Sequence, residues 1–468
     1  MPHPKSRRHV ARCAALAALL TAPFVLSAGP AAAAGPKTPV VDFNGDGFAD
    51  LAVSAPFATV SGLQQAGYVS VLYGSSAGTD TAHPQLITQA TEGVPGDPME
   101  YGTFGTSTAA RDLDGDGYTD LIVGSYYTPM VLWGSPQGLG EGAPLGDAAY
   151  RVAAGDIDGD GHADVIANGN GNLEVRFGPF TRAGAPARTN TLEIADESGP
   201  QDMAVGDMNG DGKDDVITTN GFEEMQFHSR YYKGTSTGLS STFKSTGYYT
   251  VGGVVADVNK DGYGDFVARQ VDHVSEMMDY DAGAVRVVYG SANGPSTRTA
   301  RITQNTAGVP GTDEAGDNYR NFGDQFGYSL AAGDVTGDGY PDIAVGVPGE
   351  DVGTVREAGA VVLLKGGPSG LTGSGAQAFH QSTSGVPGVS ETSDNFGRTV
   401  LLADVNANNR ADLIAAAPLE DGTYKDSGAV WVLRGSKTGA TTNNITSFSP
   451  GSLGAPQKEA LFGQRIAR

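Results

Sequence analysis

The sequence predicts an all-β fold: a seven-bladed β-propeller of four-stranded antiparallel blades, closed by pairing of the C-terminal strand (about 461–468) into the first blade. Three observations predict it. An acidic nine-residue loop pattern recurs seven times, a glycine hairpin follows each copy, and a strand missing ahead of the first copy reappears at the end of the chain. Composition agrees, because Gly supplies 69 of 468 residues and charged residues only 18%. Such a chain makes short strands and tight turns rather than long helices. A repeat also absorbs a length that would otherwise suggest two or three domains.

The loop pattern is D-x-[DN]-x-D-G-x-x-D. Its copies are Asp42/Asn44/Asp46/Asp50, Asp112/Asp114/Asp116/Asp120, Asp156/Asp158/Asp160/Asp164, Asp207/Asn209/Asp211/Asp215 and Asp257/Asn259/Asp261/Asp265. A sixth, Asp334/Thr336/Asp338/Asp342, has Thr at its third position, and a seventh, Asp404/Asn406/Asn408/Asp412, keeps only its outer carboxylates. Successive copies start 70, 44, 51, 50, 77 and 70 residues apart.

A hard cation such as Ca2+ takes six to eight oxygens at roughly 2.3–2.6 Å. Side chains at positions 1, 3, 5 and 9 of a tight loop can converge on one point. The backbone carbonyl of position 7 adds another oxygen, from Phe48, Tyr118, His162, Lys213, Tyr263, Tyr340 or Arg410. Gly at position 6 permits the sharp turn. An EF-hand would need Glu at position 12. That position holds Val53, Val123, Ala167, Thr218, Ala268, Val345 or Ala415, and strand-like runs follow, so each loop is expected to be the turn of a β-hairpin. Five to seven Ca2+ sites are expected, one per hairpin loop. Metal-free Asx and Gly turns are the alternative. The 22 loop aspartates nearly match the net charge of −23.

The second element is a strand running into a Gly turn: Val71–Gly74, Val131–Gly134, Val175–Gly178, Tyr231–Gly234, Val287–Gly290, Leu363–Gly366 and Val432–Gly435. Seven acidic hairpins and seven Gly hairpins make seven four-stranded units. Phe104-Gly105, Phe326-Gly327 and Phe396-Gly397 each open a strand leading into an acidic loop, but no Phe-Gly precedes Asp42. Phe462-Gly463, near the end of the chain, is expected to supply it. Closure of this kind removes unpaired sheet edges.

The N-terminus reads as a secretion signal over residues 1–34. Lys5, Arg7, Arg8 and Arg12 precede an apolar run from Ala14 to Leu26, and Ala31–Ala34 offers a cleavage site. Export through the general or the twin-arginine route fits Arg7-Arg8. Residues 35–468 are expected to form a single propeller domain. Cys13 is the only cysteine, so disulfides cannot order the exported chain. No second apolar run is long enough to cross a bilayer. A net charge of −23 argues against nucleic-acid binding.

Phe-Gly, the acidic loop and the following Ala55-Pro56, Val347-Pro348 and Ala417-Pro418 resemble the FG-GAP repeats of integrin alpha subunits, and those of secreted bacterial proteins more closely. The resemblance covers about residues 38–468. Units around Asp156, Asp207 and Asp257 lack Phe-Gly and the Pro, and resemble the related VCBS-type repeat. The resemblance implies a seven-bladed propeller with calcium in the hairpin loops.

In an antiparallel blade the acidic loops (first-to-second turns) and Gly hairpins (third-to-fourth turns) share one face. The longer insertions 92–103, 269–282, 311–321, 349–357, 391–395 and 419–427 fall on the other, with Tyr101, Tyr280, Tyr319 and Tyr424 as candidate ligand contacts. An extracellular, monomeric recognition or adhesion module without catalysis is expected, with a protein or glycan ligand. The alternative is a lectin or carbohydrate-active enzyme on the same scaffold. Gly74–Gly78 and Gly234–Gly238 match G-x-S-x-G but lie in Gly hairpins with no helix after them, so they lack the nucleophile elbow. His273 beside Asp272 and Glu276 is the remaining acid–base candidate.

Overall fold

A computed structural model describes residue 1 and residues 40–125, 128–146, 151–169, 172–194, 202–220, 227–271, 281–318 and 321–468. The secretion signal expected over 1–34 lies outside these apart from Met1, as do Tyr280, Tyr319, Asp272, His273 and Glu276. The described residues form strands and turns without any helix, arranged as seven four-stranded antiparallel sheets and two small ladders.

Blades 2 to 7 each run inner to outer in chain order. Blade 2 is Ser107–Arg111, Asp120–Gly124, Met130–Leu132 and Gly142–Pro144. Blade 3 follows with Arg151–Gly155, Asp164–Gly169, Asn172–Phe177 and Arg188–Glu193, and blade 4 with Asp202–Gly206, Asp215–Thr219, Arg230–Tyr232 and Lys244–Ser245. Blade 5 comprises Thr250–Ala256, Asp265–Gln270, Ala284–Val288 and Thr299–Ile302. Blade 6 contains Leu330–Gly333, Asp342–Val347, Ala360–Lys365 and Thr372–Phe379, and blade 7 contains Thr399–Ala403, Asp412–Ala417, Ala429–Ser436 and Gly439–Phe448.

Blade 1 is different. Leu51–Ala55, Tyr68–Leu72 and Gln85–Ile87 supply three strands, and Arg465–Ile466 pairs beside Leu51–Ala55 as the innermost fourth. The register is Val53 opposite Ile466 and Ser54 opposite Arg465. Gly463 N–H donates to the Ser54 carbonyl at 3.0 Å and Ala467 N–H to the Ala52 carbonyl at 3.0 Å, extending the ladder at both ends. The inner strands of all seven blades touch their neighbours in turn, and Arg465–Ile466 touches both blade 7 and blade 2.

The second strands are short and rich in apolar residues, and Leu51–Ala55, Asp120–Gly124 and Asp412–Ala417 are each buried along their whole length. A continuous apolar run of that length suits a strand covered on both faces. The core is accordingly divided by interface. Leu51, Val53 and Tyr68 of blade 1 pack with Ile414, Val430 and Phe448 of blade 7. Blade 7 packs on blade 6 through a separate cluster containing Leu363, Leu413 and Trp431.

Phe-Gly latches these interfaces. Phe104, Phe326, Phe396 and Phe462 are all fully buried. Their N–H groups donate to the carbonyls of Ala66, Ala282, Ala358 and Ser427 in the blade before, at 3.1, 2.8, 2.9 and 3.1 Å. The glycine after each acceptor must be glycine. At Gly428, φ is +82° and an added Cβ would lie 2.4 Å from the Phe462 carbonyl oxygen. Phe462 therefore makes between blades 7 and 1 the contact that Phe104 makes between blades 1 and 2.

Candidate functional site

The acidic loops lie between first and second strands, as the spacing requires. Gly at positions 4 and 6 takes positive φ, for example +78° at Gly115 and +92° at Gly117. The first aspartate caps the turn: Asp112 accepts from Gly115 N–H at 2.8 Å and from Gly117 N–H at 2.9 Å. Asp42, Asp156, Asp207 and Asp334 accept in the same way.

Two loops gather three carboxylates. One oxygen from each of Asp112, Asp114 and Asp116 falls within 4.8 Å of the others, and the same holds for Asp156, Asp158 and Asp164. All are hard oxygen donors, the chemistry that Ca2+ takes, so these residues fit a divalent ion. Basic side chains also reach several of the loops. Arg182 bridges Asp114 at 2.6 Å and Asp116 at 2.5 Å, Arg188 meets Asp158 at 2.5 Å, and Lys233 meets Asp211 at 2.8 Å. In three of the four loops with Asn at position 3, the amide nitrogen faces a carboxylate: Asn44 to Asp46, Asn209 to Asp215 and Asn406 to Asp412. Thr336 donates to Asp334 at 3.4 Å, and the Asn259 amide nitrogen is buried without a partner. In the last loop Arg434 pairs with Asp412 at 3.2 Å.

The fifth position is held differently from loop to loop. In the third loop Asp164, and not Asp160, joins Asp156 and Asp158. Asp160, Asp261, Asp338 and Asn408 are exposed, and none belongs to a three-carboxylate cluster among the described residues. The carboxylate of this position also turns back onto its own backbone. Asp160 accepts the His162 N–H at 2.9 Å, Asp261 the Tyr263 N–H at 3.2 Å and Asp338 the Tyr340 N–H at 3.0 Å. Asp116 makes the equivalent bond to Tyr118 at 3.0 Å, but Arg182 draws its other oxygen beside Asp114. Asn408 brings no charge, and its N–H donates to Asp404 at 3.0 Å. Spacing leads to an expectation of five to seven metal loops, and two of these loops gather three carboxylates among the described residues.

The ninth residue has a role that spacing does not reveal. In all seven loops one oxygen of this aspartate accepts the N–H of the Gly that opens the third-to-fourth hairpin. The pairs are Gly74–Asp50, Gly134–Asp120, Gly178–Asp164, Gly234–Asp215, Gly290–Asp265, Gly366–Asp342 and Gly435–Asp412, at 2.8–3.1 Å. In six loops the other oxygen accepts the N–H of position 2, such as Leu113 to Asp120 at 2.8 Å. Each carboxylate thus staples its acidic loop to its Gly hairpin. Burial pushes the Asp120, Asp164 and Asp265 carboxyls up to about 7, against the pull of the N–H bonds.

The opposite face carries the inter-blade links and second-to-third loops. Tyr101, 54% exposed, sits in the link from blade 1 to blade 2. Its N–H donates to the Gln64 carbonyl at 2.9 Å and its hydroxyl to Gln64 Oε1 at 3.2 Å, joining that link to the blade 1 second-to-third loop. Tyr424, 49% exposed, lies in the corresponding loop of blade 7, and Met99 and Val389 are exposed in links on this face.

The FG-GAP repeat family model matches residues 34–72, 199–238, 326–364 and 396–433, and the FG-GAP-like repeat model matches 112–167 and 156–218. The chain carries FG-GAP repeats. The FG-GAP matches include blades 1, 6 and 7, whose Ala55-Pro56, Val347-Pro348 and Ala417-Pro418 follow the second strand. The units at Asp112 and Asp156 fall in the FG-GAP-like match.

Integrin alpha-5 of Xenopus laevis is 39% identical over 98 residues, 20% of this chain and 9% of its own length. The phosphatidylinositol-glycan-specific phospholipase D of Bos taurus is 30% identical over 175 residues, 37% of this chain and 19% of its own length. The match thus spans less than a fifth of the length of either relative. The structure of an Agrocybe aegerita lectin that recognises non-reducing terminal N-acetylglucosamine aligns with a TM-score of 0.49 at 15% identity, over 88% of this chain and 94% of that one. Among the described residues, no helix is long and apolar enough to cross a membrane.

Proposed function

We propose that this FG-GAP propeller is a secreted, monomeric, calcium-binding recognition module without catalysis of its own. Its ligand, an extracellular protein or glycan, docks on the face formed by the inter-blade links and second-to-third loops. The convergence of Asp112, Asp114 and Asp116 within 4.8 Å carries the reading. Three carboxylates so close repel one another unless positive charge lies among them, and Arg182 meets Asp114 and Asp116 with a single charge against three. Asp112, Asp114 and Asp116 with the Tyr118 carbonyl would hold one ion, and Asp156, Asp158 and Asp164 with the His162 carbonyl another. A bound divalent ion would supply cross-linking charge that ties the loop backbone down. The chain itself already staples each acidic loop to its Gly hairpin, so the metal face reads as scaffold. The other face is left for recognition, where exposed Tyr101 and Tyr424 offer aromatic surface with a polar tip.

The test is binding of the chain to immobilised glycans and matrix proteins in Ca2+ and in EDTA. Binding that needs Ca2+ and weakens at least tenfold in Tyr101→Ala/Tyr424→Ala supports the proposal. Binding indifferent to both changes removes it. Release of cleaved product from the same glycans would make the chain an enzyme instead.

A further inference from the structure

Two carboxylate clusters outside the acidic loops share one design. At the junction of blades 5 and 6, Gln304 follows the outer strand of blade 5, Asp324 stands two residues ahead of Phe326, and Glu350 begins the second-to-third loop of blade 6. At the junction of blades 6 and 7, Gln381, Asp394 and Glu420 hold the equivalent places. Gln304 Nε2 donates to Glu350, and Gln381 Nε2 donates to Glu420. The Glu314 N–H donates to Asp324 and the Glu391 N–H to Asp394, each at 2.6 Å.

The clusters are rich in acceptors. Asp324 and Asp394 are each 2% exposed. No Lys or Arg pairs with Asp324, Glu350, Asp394 or Glu420 among the described residues, and the Asp394 and Glu420 carboxyls lie within hydrogen-bonding reach of each other. The decisive atoms are the amide oxygens. Gln304 and Gln381 are 3% and 1% exposed, and Oε1 of each is buried without a donor. A buried amide oxygen without a donor lacks a positive partner, and leaving it so is costly. Its appearance at the same place in two clusters marks a repeated feature. At the first junction Asp324 and Glu350 border an open cleft of about 400 Å3, also lined by Gly311, Thr312, Glu314 and Asp351, with room for water ligands.

We propose that these junctions are two further calcium sites, one held by Gln304, Asp324 and Glu350 and the other by Gln381, Asp394 and Glu420. Oxygen-only donors of mixed charge, including a side-chain amide, are a Ca2+ set. The ligands come from two successive blades and the link between them, so each ion would clamp neighbouring blades on the face opposite the FG-GAP loops.

The test counts Ca2+ bound per chain by elemental mass spectrometry after dialysis, with melting in Ca2+ and in EDTA. Glu350→Gln/Glu420→Gln should bind two ions fewer than the wild type. In EDTA it should melt no lower than the wild type, because neutralising the glutamates removes like-charge repulsion. Asp114→Asn/Asp116→Asn should lose one ion independently, so failure of the hairpin-loop reading and failure of this one are separable. An unchanged count in the glutamate variant overturns the proposal. Should that variant not fold, wild-type crystals soaked in Tb3+ decide. Anomalous peaks within about 2.6 Å of Gln304 Oε1 and Gln381 Oε1 support the sites, and no peak at either position overturns them.

Discussion

Phe462→Ala tests ring closure most directly. The ring is fully buried between blades 7 and 1, with its centroid 6.3 Å from Tyr68 and 6.1 Å from Phe448. Truncating a buried Phe to Ala typically costs about 3–5 kcal/mol, from lost transfer energy plus the cavity left behind. With an m-value of about 3 kcal/mol/M, the urea midpoint should fall by about 1–1.7 M. Phe104→Ala is the internal reference, because Phe104 makes the same N–H bond to the preceding blade, at 3.1 Å in both cases. Tyr424→Ala is the surface control, expected to shift the midpoint by less than about 0.2 M. Urea unfolding followed by tryptophan fluorescence gives the midpoints. If Phe462→Ala behaved like Tyr424→Ala while Phe104→Ala was strongly destabilised, the C-terminal Phe-Gly would not be closing the ring and the reasoning would fail.

Asp120→Asn should destabilise by about 2–3 kcal/mol in EDTA, because an amide can accept from only one of Gly134 N–H and Leu113 N–H and leaves the other buried donor unmatched; urea midpoints check it. The ninth-position carboxyls, pushed by burial to about 7 in Asp50, Asp120 and Asp215, favour their protonated form when folded. Their contribution to stability is therefore present below about pH 4 and lost as pH rises through about 7. The EDTA-treated chain should melt lower at pH 8 than at pH 5.5, and Ca2+ should raise the melting temperature more at pH 8; calorimetry at both values decides. Arg182→Ala removes a cation that competes at Asp114 and Asp116. Half-saturating Tb3+ should fall several-fold, read by luminescence sensitised by Trp133, which stacks 5.2 Å from the Arg182 guanidinium.

Blade count, strand order and closure could be read from the chain because each rests on local signals: a nine-residue acidic turn, a Gly-terminated strand, and Phe-Gly before every blade with the full repeat. Blades 4 and 5 were harder to read in detail. The inner strand Thr250–Ala256 carries a register shift between Val251 and Val254 where Gly252 and Gly253 take positive φ, and the outer strand of blade 4 shrinks to Lys244–Ser245. At the site, spacing located the acidic loops but could not tell a metal ligand from a backbone acceptor, because Asp serves both. Asp160, Asp261 and Asp338 show the ambiguity, each accepting the N–H two residues on. The recurring glycine after each third strand, from Gly74 to Gly435, was the available clue to the staple. The junction carboxylates were visible only as parts of insertions. Gln304 and Glu350 are 46 residues apart and Gln381 and Glu420 are 39 apart, so no periodicity joins them. A sharper clue was the Gly-Val-Pro-Gly run that follows both glutamines, at 308–311 and 385–388.

Ser54 and Arg465, neighbours in the first blade, are 411 residues apart along the chain. At a synthesis rate of about 5–20 residues per second, Leu51–Ala55 waits roughly 20–80 s on the ribosome before its inner partner exists. Through that interval its free edge can recruit a strand from another nascent chain. Crowded polysomes should therefore favour domain-swapped dimers, in which the tail of one molecule completes the ring of another. Cutting the chain between two later blades and joining the present ends would shorten this wait.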